Sequence, residues 1–183
     1  MVKIWHGLAV ALLLPSLAQA KEWQIMPAES HIHWVATQKD EPVKGAFKTF
    51  TADIAFDPKA LDQSEVTVTV DMASVSAEYD EVTSTLPKTE WFGSDEFPQA
   101  TFTTKSIMHV SDQRYMAPAT LTIKGVQVPV TLDFTFSELS DDKAVMEGTA
   151  RVKRTDFGIG WPETDEVADP VKIEVRVTAV PKP

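Results

Sequence analysis

Few residues of this chain combine type and spacing in a way that could do chemistry, and each of them lacks a partner. His31 and His33 stand two residues apart in a segment of extended character, which puts both imidazoles on one face. That is half of a zinc site. Three or four ligands are needed, and only His109 and scattered carboxylates are available to complete it. The alternative is an exposed polar row opposite Ile32 and Trp34, and we expect no metal there. No serine sits in a G-x-S-x-G elbow, and a triad would have to recruit a histidine without any motif. The carboxylate pairs Asp141-Asp142 and Asp165-Glu166 fall in turn-like segments and read as solvated. Phe157-Gly158-Ile159-Gly160 lacks the further glycine, the lysine and the helix of a phosphate loop. No catalytic residue and no cofactor is assigned.

Composition narrows the field further. Among 183 residues, Lys and Arg total 17 against 27 for Asp and Glu, a formal charge of -10. Such a chain is ill suited to neutralising phosphates, so nucleic acid is not expected as a partner. Cysteine is absent, which removes disulfides, thiolate nucleophiles and iron–sulfur clusters together. What the chain does place with some care is aromatic bulk. Trp91-Phe92 and Phe97 flank a Gly-Ser-Asp turn, Phe47 and Phe50 lie in the second strand region, and Phe157 and Trp161 bracket Ile159. A packed core with a covering loop would use these residues, and so would an apolar tunnel.

The elements that must position them are strands. Val66, Val68, Val70 and Met72 alternate with polar residues; Val126 to Phe136 and Val171 to Val177 do the same on alternate positions. Weaker strands are expected over 23–35, interrupted at Pro27, and over 43–56, 100–110, 113–123 and 143–154. Ser111-Asp112 and Lys124-Gly125 read as turns. Residues 79–89 break the alternation and suit a short helix ending near Pro87. About eight antiparallel strands suggest a closed barrel, with a sandwich as the competing architecture. Ahead of them, Lys3, the apolar run from Leu8 to Leu14 and the small-x-small triplet Ala18-Gln19-Ala20 read as a secretory signal peptide. The expected division is therefore 1–20 as signal, cleaved after Ala20, and 21–183 as a single domain in a bacterial periplasm.

Several segments, in order, carry a resemblance to a known family. They are Val43-Lys44-Gly45-Ala46-Phe47 with Phe50 and Ile54-Ala55-Phe56-Asp57; Trp91-Phe92 with Phe97-Pro98-Gln99-Ala100-Thr101-Phe102; Leu121-Thr122-Ile123-Lys124-Gly125-Val126; Arg154-Thr155-Asp156-Phe157-Gly158-Ile159-Gly160; and Val167-Ala168-Asp169-Pro170-Val171. Together they resemble the YceI-like family of secreted, lipocalin-like barrels. Departures occur where the family has an aspartate and a histidine in its first strand, here Met26 and Glu29, and across 79–86. The resemblance implies an all-β fold, an extended eight-stranded antiparallel lipocalin-like barrel with a short helical segment between strands 3 and 4. It implies a binding protein and not an enzyme, with a long isoprenoid, quinone-like or other long-chain lipid inside. It also implies occasional contact with a cytochrome b561-like membrane protein. On this reading Trp34, Phe47, Trp91, Phe92, Phe157, Ile159 and Trp161 are the candidates for the apolar pocket or its lid, and Arg154 is the candidate for the ligand head group, with a structural ion pair to Asp156 as its alternative role. A barrel with a filled core and no ligand is the competing expectation. An enzyme using His31, His33 or His109 as acid–base is the other.

Overall fold

In the computed structural model, which describes residues 20–160 and 166–183, twelve strand segments combine into eight long antiparallel strands. The first is β1 (Glu22–Ile25) with β2 (His31–Gln38), broken by a 3-10 turn at Pro27–Glu29. Pro27 has no amide hydrogen to donate to a ladder, so pairing stops there as expected. The second is β3 (Glu41–Phe47) with β4 (Phe50–Ala55), and the third is β5 (Glu65–Asp71) with β6 (Val75–Ala77). The third breaks at a 3-10 turn, Met72–Ser74, where the Asp71 carboxylate accepts the Ala73 amide at 3.0 Å. The fourth is β7 (Gln99–Thr104) with β8 (Met108–Ser111), and both segments pair with β9 (Arg114–Ile123). β10 (Val126–Leu139), β11 (Ala144–Lys153) and β12 (Pro170–Pro181) complete the set.

Each long strand pairs with its neighbour in the chain, and β12 returns to pair with both β1 and β2. The sheet therefore closes on itself as an up-and-down barrel, which removes the open edges of a flat sheet. Tight turns set the register. Lys39 and Asp40 both take positive φ between β2 and β3, as do Lys124 and Gly125 between β9 and β10. Two successive left-handed residues give the turn whose twist matches that of a hairpin. The connection from β6 to β7 is longer and carries α1 (Asp80–Thr85), the expected short helix.

Register fixes which residues face inward. Trp34 pairs with Gly45 and Ile173, Phe102 with Val68 and Leu121, and Phe134 with Tyr115 and Gly148. Alternate positions on every strand thus form one continuous apolar inner wall. Buried residues gather in two clusters. One holds Trp23, Phe56, Ile107, Tyr115, Phe134 and Phe136; the other holds Trp34, Val43, Val75 and Leu86. Along β12 the partners of Trp23 and Trp34 are Pro181 and Ile173, which puts the clusters at opposite ends, roughly 26 Å apart.

Candidate functional site

Between the two clusters the barrel is hollow. A cavity of about 210 Å³ is lined by the inward rows of all eight strands. Val68, Phe102, Leu121, Val130, Val152 and Val175 face it and are only half-buried, although their neighbours on either side along the barrel axis include fully buried residues. Among the described residues, the lining contains no acid, base or histidine, and its one hydroxyl is that of Thr104. That hydroxyl is used by the backbone: it donates to the Pro118 carbonyl at 2.7 Å and accepts from the Ser106 amide at 3.1 Å. The chamber offers apolar surface and almost nothing else.

One end is sealed by ring packing. Phe56 stacks on Phe136 with centroids 5.2 Å apart, Tyr115 stacks on Phe134 at 5.5 Å, and Phe56 meets Tyr115 edge-on at 5.9 Å. Trp23 closes beneath them, and its indole donates to the Phe56 carbonyl at 2.9 Å. Gly148 lies against Phe134, where an added Cβ would come within 2.9 Å of that side chain's own Cβ.

The opposite end is covered by the β6–β7 connection. Leu86 is buried against Trp34 and Val75, and half-buried Val82, Trp91 and Phe92 pack on the same group. Phe92 contacts Phe47, a cavity-lining residue, with centroids 5.8 Å apart. Trp91 and Phe92 are adjacent in sequence and would face opposite sides of a strand. They lie in a succession of turns, so both can pack on one cluster. A few polar ties hold this cover: Lys124 Nζ donates to the Thr89 carbonyl at 2.9 Å, and the Gly160 amide donates to the Glu90 carbonyl at 2.7 Å.

The family model of the YceI-like domain matches residues 23–179, nearly all of the described barrel. The chain belongs to the YceI-like family. A UPF0312 protein of Vibrio parahaemolyticus is 29% identical over 184 aligned residues, covering 96% of each chain. Protein YceI of Salmonella arizonae is 32% identical over 138 residues, covering 71% of this chain and 72% of its own. Among solved structures, BcnA of Burkholderia cenocepacia superposes with a TM-score of 0.80 at 31% identity, over 85% of this chain and 99% of that one. A polyisoprenoid binding domain from Saccharophagus degradans shares the fold, with a TM-score of 0.70 at 14% identity, over 88% of this chain and 99% of its own.

This YceI-like barrel distributes the aromatic and polar residues singled out from sequence unequally. Phe47 lines the cavity, Trp34 caps it, and Trp91 and Phe92 form the cover. Phe157 and Ile159 are buried elsewhere, where the 3-10 turn Arg154–Phe157 packs back on β10 and β11, and neither reaches the cavity wall. Trp161 and Ala18 lie outside the described residues, and Ala20 precedes β1 as a buried residue. Arg154 is not placed to meet a ligand in the cavity. Its buried guanidinium donates to the carbonyls of Ile159, Val167 and Ala168 at 2.9, 2.6 and 3.2 Å. It ties together the two sides of the β11–β12 connection. Beside it the Asp169 carboxylate accepts the Thr155 hydroxyl and amide, at 2.7 and 3.0 Å, which holds its pKa below the usual carboxylate range.

No histidine lines the cavity, although the His109 ring packs on Tyr115 of the sealing cluster with centroids 4.9 Å apart. His31 and His33 face outward and stack on each other with centroids 4.3 Å apart. Partial burial, then His33 and then Arg176, push the pKa of His31 below its ordinary value, against the opposing pull of Glu147 and Glu174. Among the described residues no three side chains of His, Cys, Asp or Glu converge as a metal site would require. His109 Nε2 meets the Asp112 carbonyl at 2.7 Å in the β8–β9 hairpin. The larger part of the cavity wall, including Val70, Phe102, Leu121 and Ile123, was not among the residues expected to form the pocket. Its signal was present in the period-2 rows, but a row shows only that one face is apolar and not that the space before it is empty.

Proposed function

We propose that the protein is a periplasmic carrier that holds one long-chain isoprenoid or quinone-like lipid inside the barrel. The observation that carries this reading is the half-buried apolar inner wall around a cavity with no ionisable lining residue. Leaving such a wall unfilled forgoes roughly 25 cal/mol for each Å² of apolar surface, and a bound chain recovers about 0.8 kcal/mol per buried CH₂. A slender chain matches an eight-stranded barrel, which is too narrow for a wide aqueous lumen. The family and the shared fold of a polyisoprenoid binding domain support the same ligand class. Binding rather than catalysis is the role that the family and the shared barrel fold support. Residues 1–20 serve as the signal peptide, and export would bring the carrier within reach of a membrane quinone pool and a cytochrome b561-like partner.

Native mass spectrometry of gently purified protein tests the proposal. One lipid per barrel is expected, with isoprenoid material in the solvent extract. An empty extract, together with failure of delipidated protein to take up either a prenylated benzoquinone or a fatty-acid probe, would leave the filled, ligand-free barrel as the correct reading. N-terminal sequencing of periplasmic material is expected to begin at Lys21.

A further inference from the structure

Trp23 and Trp34 are both almost fully buried, at 3% and 6% exposure. The indole N–H of Trp23 is satisfied by the Phe56 carbonyl. That of Trp34 is buried with no acceptor; among the described residues the one other such side-chain atom is the Ser64 hydroxyl oxygen. A buried donor without a partner has lost its water for nothing, and native proteins rarely retain one without a reason. Trp34 stands where the cavity meets its cover. Its side chain shares the inward face of Ile32, it pairs across the ladder with Ile173, and it clusters with Phe47; all three of these residues line the cavity.

We propose that the Trp34 Nε1–H is the polar anchor of the ligand, donating to a neutral oxygen acceptor at the head of the isoprenoid chain while the tail runs toward the aromatic end. The inference rests on the carrier reading above and adds to it the chemistry of the head group. The acceptor approaches from the cover side, where Leu86 and the half-buried Trp91 and Phe92 pack against the same cluster and give way. Two alternatives are disfavoured. A pure hydrocarbon leaves the N–H unpaired. A carboxylate or phosphate would surrender its hydration for a single neutral donor, with no cationic side chain on the wall and the Arg154 guanidinium engaged by three carbonyls. A site built around one buried donor thus selects against ligands lacking the acceptor.

Three probes with a common tail separate these cases: geranylgeranyl benzoquinone, geranylgeranyl benzene and geranylgeranyl phosphate, each titrated into the delipidated protein. The quinone is expected to bind about tenfold tighter than the hydrocarbon, the equivalent of ~1.4 kcal/mol from one hydrogen bond, and the phosphate more weakly than both. Trp34→Phe keeps an aromatic ring and removes the donor; whatever it does to hydrocarbon binding, it should abolish the difference, bringing the quinone-to-hydrocarbon affinity ratio from about ten to about one. In ¹⁵N-labelled wild type, the Trp34 Nε1–H resonance should move downfield with the quinone and not with the hydrocarbon. This measurement decides the matter if the variant does not fold. A preference that survives Trp34→Phe, or a resonance that stays put, overturns the anchor while the carrier reading stands. Uptake of none of the three probes overturns both.

Discussion

The two ends of the barrel are closed by similar amounts of aromatic surface arranged to different effect. At the Trp23 end, four rings from two long strands and from the residue just past β4 interlock in stacked and edge-on contacts, and the one indole donor has its acceptor. Every ring there sits on, or directly beside, a strand of the closed sheet. At the Trp34 end the contacts come from a connection containing one six-residue helix and a series of turns, its aromatic residues are half-buried, and an indole donor is left over. A cluster built on paired strands can loosen only if the sheet does. A cover supplied by a loop can lift from the strand-borne Trp34, Val43 and Val75 while the sheet stays whole. On the proposed carrier function, the difference would give stability to one end and ligand passage to the other.

The largest effects should come from attacking the strand-borne end. Phe134→Glu places a carboxylate among Tyr115, Phe136 and Gly148, none of which can pair with its charge. We expect a loss of about 4 kcal/mol or more in denaturant unfolding, enough to prevent accumulation of folded protein. Phe136→Ala should cost about 3–5 kcal/mol, with binding by the surviving folded fraction largely retained. If Phe136→Ala left stability untouched and abolished binding, the assignment of the two ends would be reversed.

Gly45→Ala probes the joint between sheet and cover. Gly45 is the cross-strand partner of Trp34, and a Cβ there would come within 2.2 Å of the indole ring and 2.1 Å of the Ser76 carbonyl oxygen. The ring can turn aside but the Ser76 carbonyl is backbone, so both the ring and the β3–β6 pairing must shift. We expect a destabilisation of about 2 kcal/mol and a change in Trp34 fluorescence. Unaltered fluorescence with full stability would show that the ring is not held over this glycine.

Trp91→Ala and Phe92→Ala sharpen the same contrast at smaller amplitude. Both residues are half-buried in the cover, so each should weaken binding of a prenylated benzoquinone by about 1 kcal/mol, or fivefold, and change the thermal midpoint little. Melting and binding must be followed on the same variants. A large fall in the midpoint without a change in affinity would make the cover a piece of ordinary core.

The barrel was legible in the sequence because its cause is local. Val126 to Phe136 and Val171 to Val177 alternate strictly, and Pro27 announces its own break. The interruptions at Lys48-Thr49 and Met72–Ser74 were not legible, since they reflect how two neighbouring strands bend together and neither segment contains proline. Of the site, Phe47, Trp91 and Phe92 could be named from their clustering. Arg154 could not be read correctly, because its partners are backbone carbonyls at 159, 167 and 168, brought to it by a turn with no side-chain signature. Phe157 and Ile159 are off the cavity wall, which was not legible for a related reason: an aromatic beside a glycine turn reads the same whether or not the turn faces the cavity.

The smallest expected effect concerns the outer face, where the two ends should be indistinguishable because the charges lie on the strands between them. His31 pairs in register with Arg176 of β12 and stacks on His33, with Glu147 and Glu174 nearby. Partial burial, then His33 and then Arg176, hold the folded pKa of His31 below its ordinary value, against the opposing pull of Glu147 and Glu174. The unfolded chain therefore takes up this proton near pH 6.5, while the folded protein resists it until the pH is lower. Between those points the unfolded state binds more protons, so the contribution of His31 to stability is complete above about pH 6.5 and is lost as pH falls through the folded pKa. The residue is only partly buried, so the change should be a modest decline in the thermal midpoint between pH 7.5 and 5.5. His31→Gln should flatten that decline, and His33→Ala should reduce it by removing the stacked neighbour. Asp169 loses its contribution in a separate window, as pH falls below about 4, because its folded pKa is also lowered. If the decline between pH 7.5 and 5.5 persisted unchanged in His31→Gln, the titrating group would have to be sought elsewhere. Loss of ligand affinity in step with it would show that the outer charges reach the cavity, contrary to an apolar wall that carries no titratable side chain.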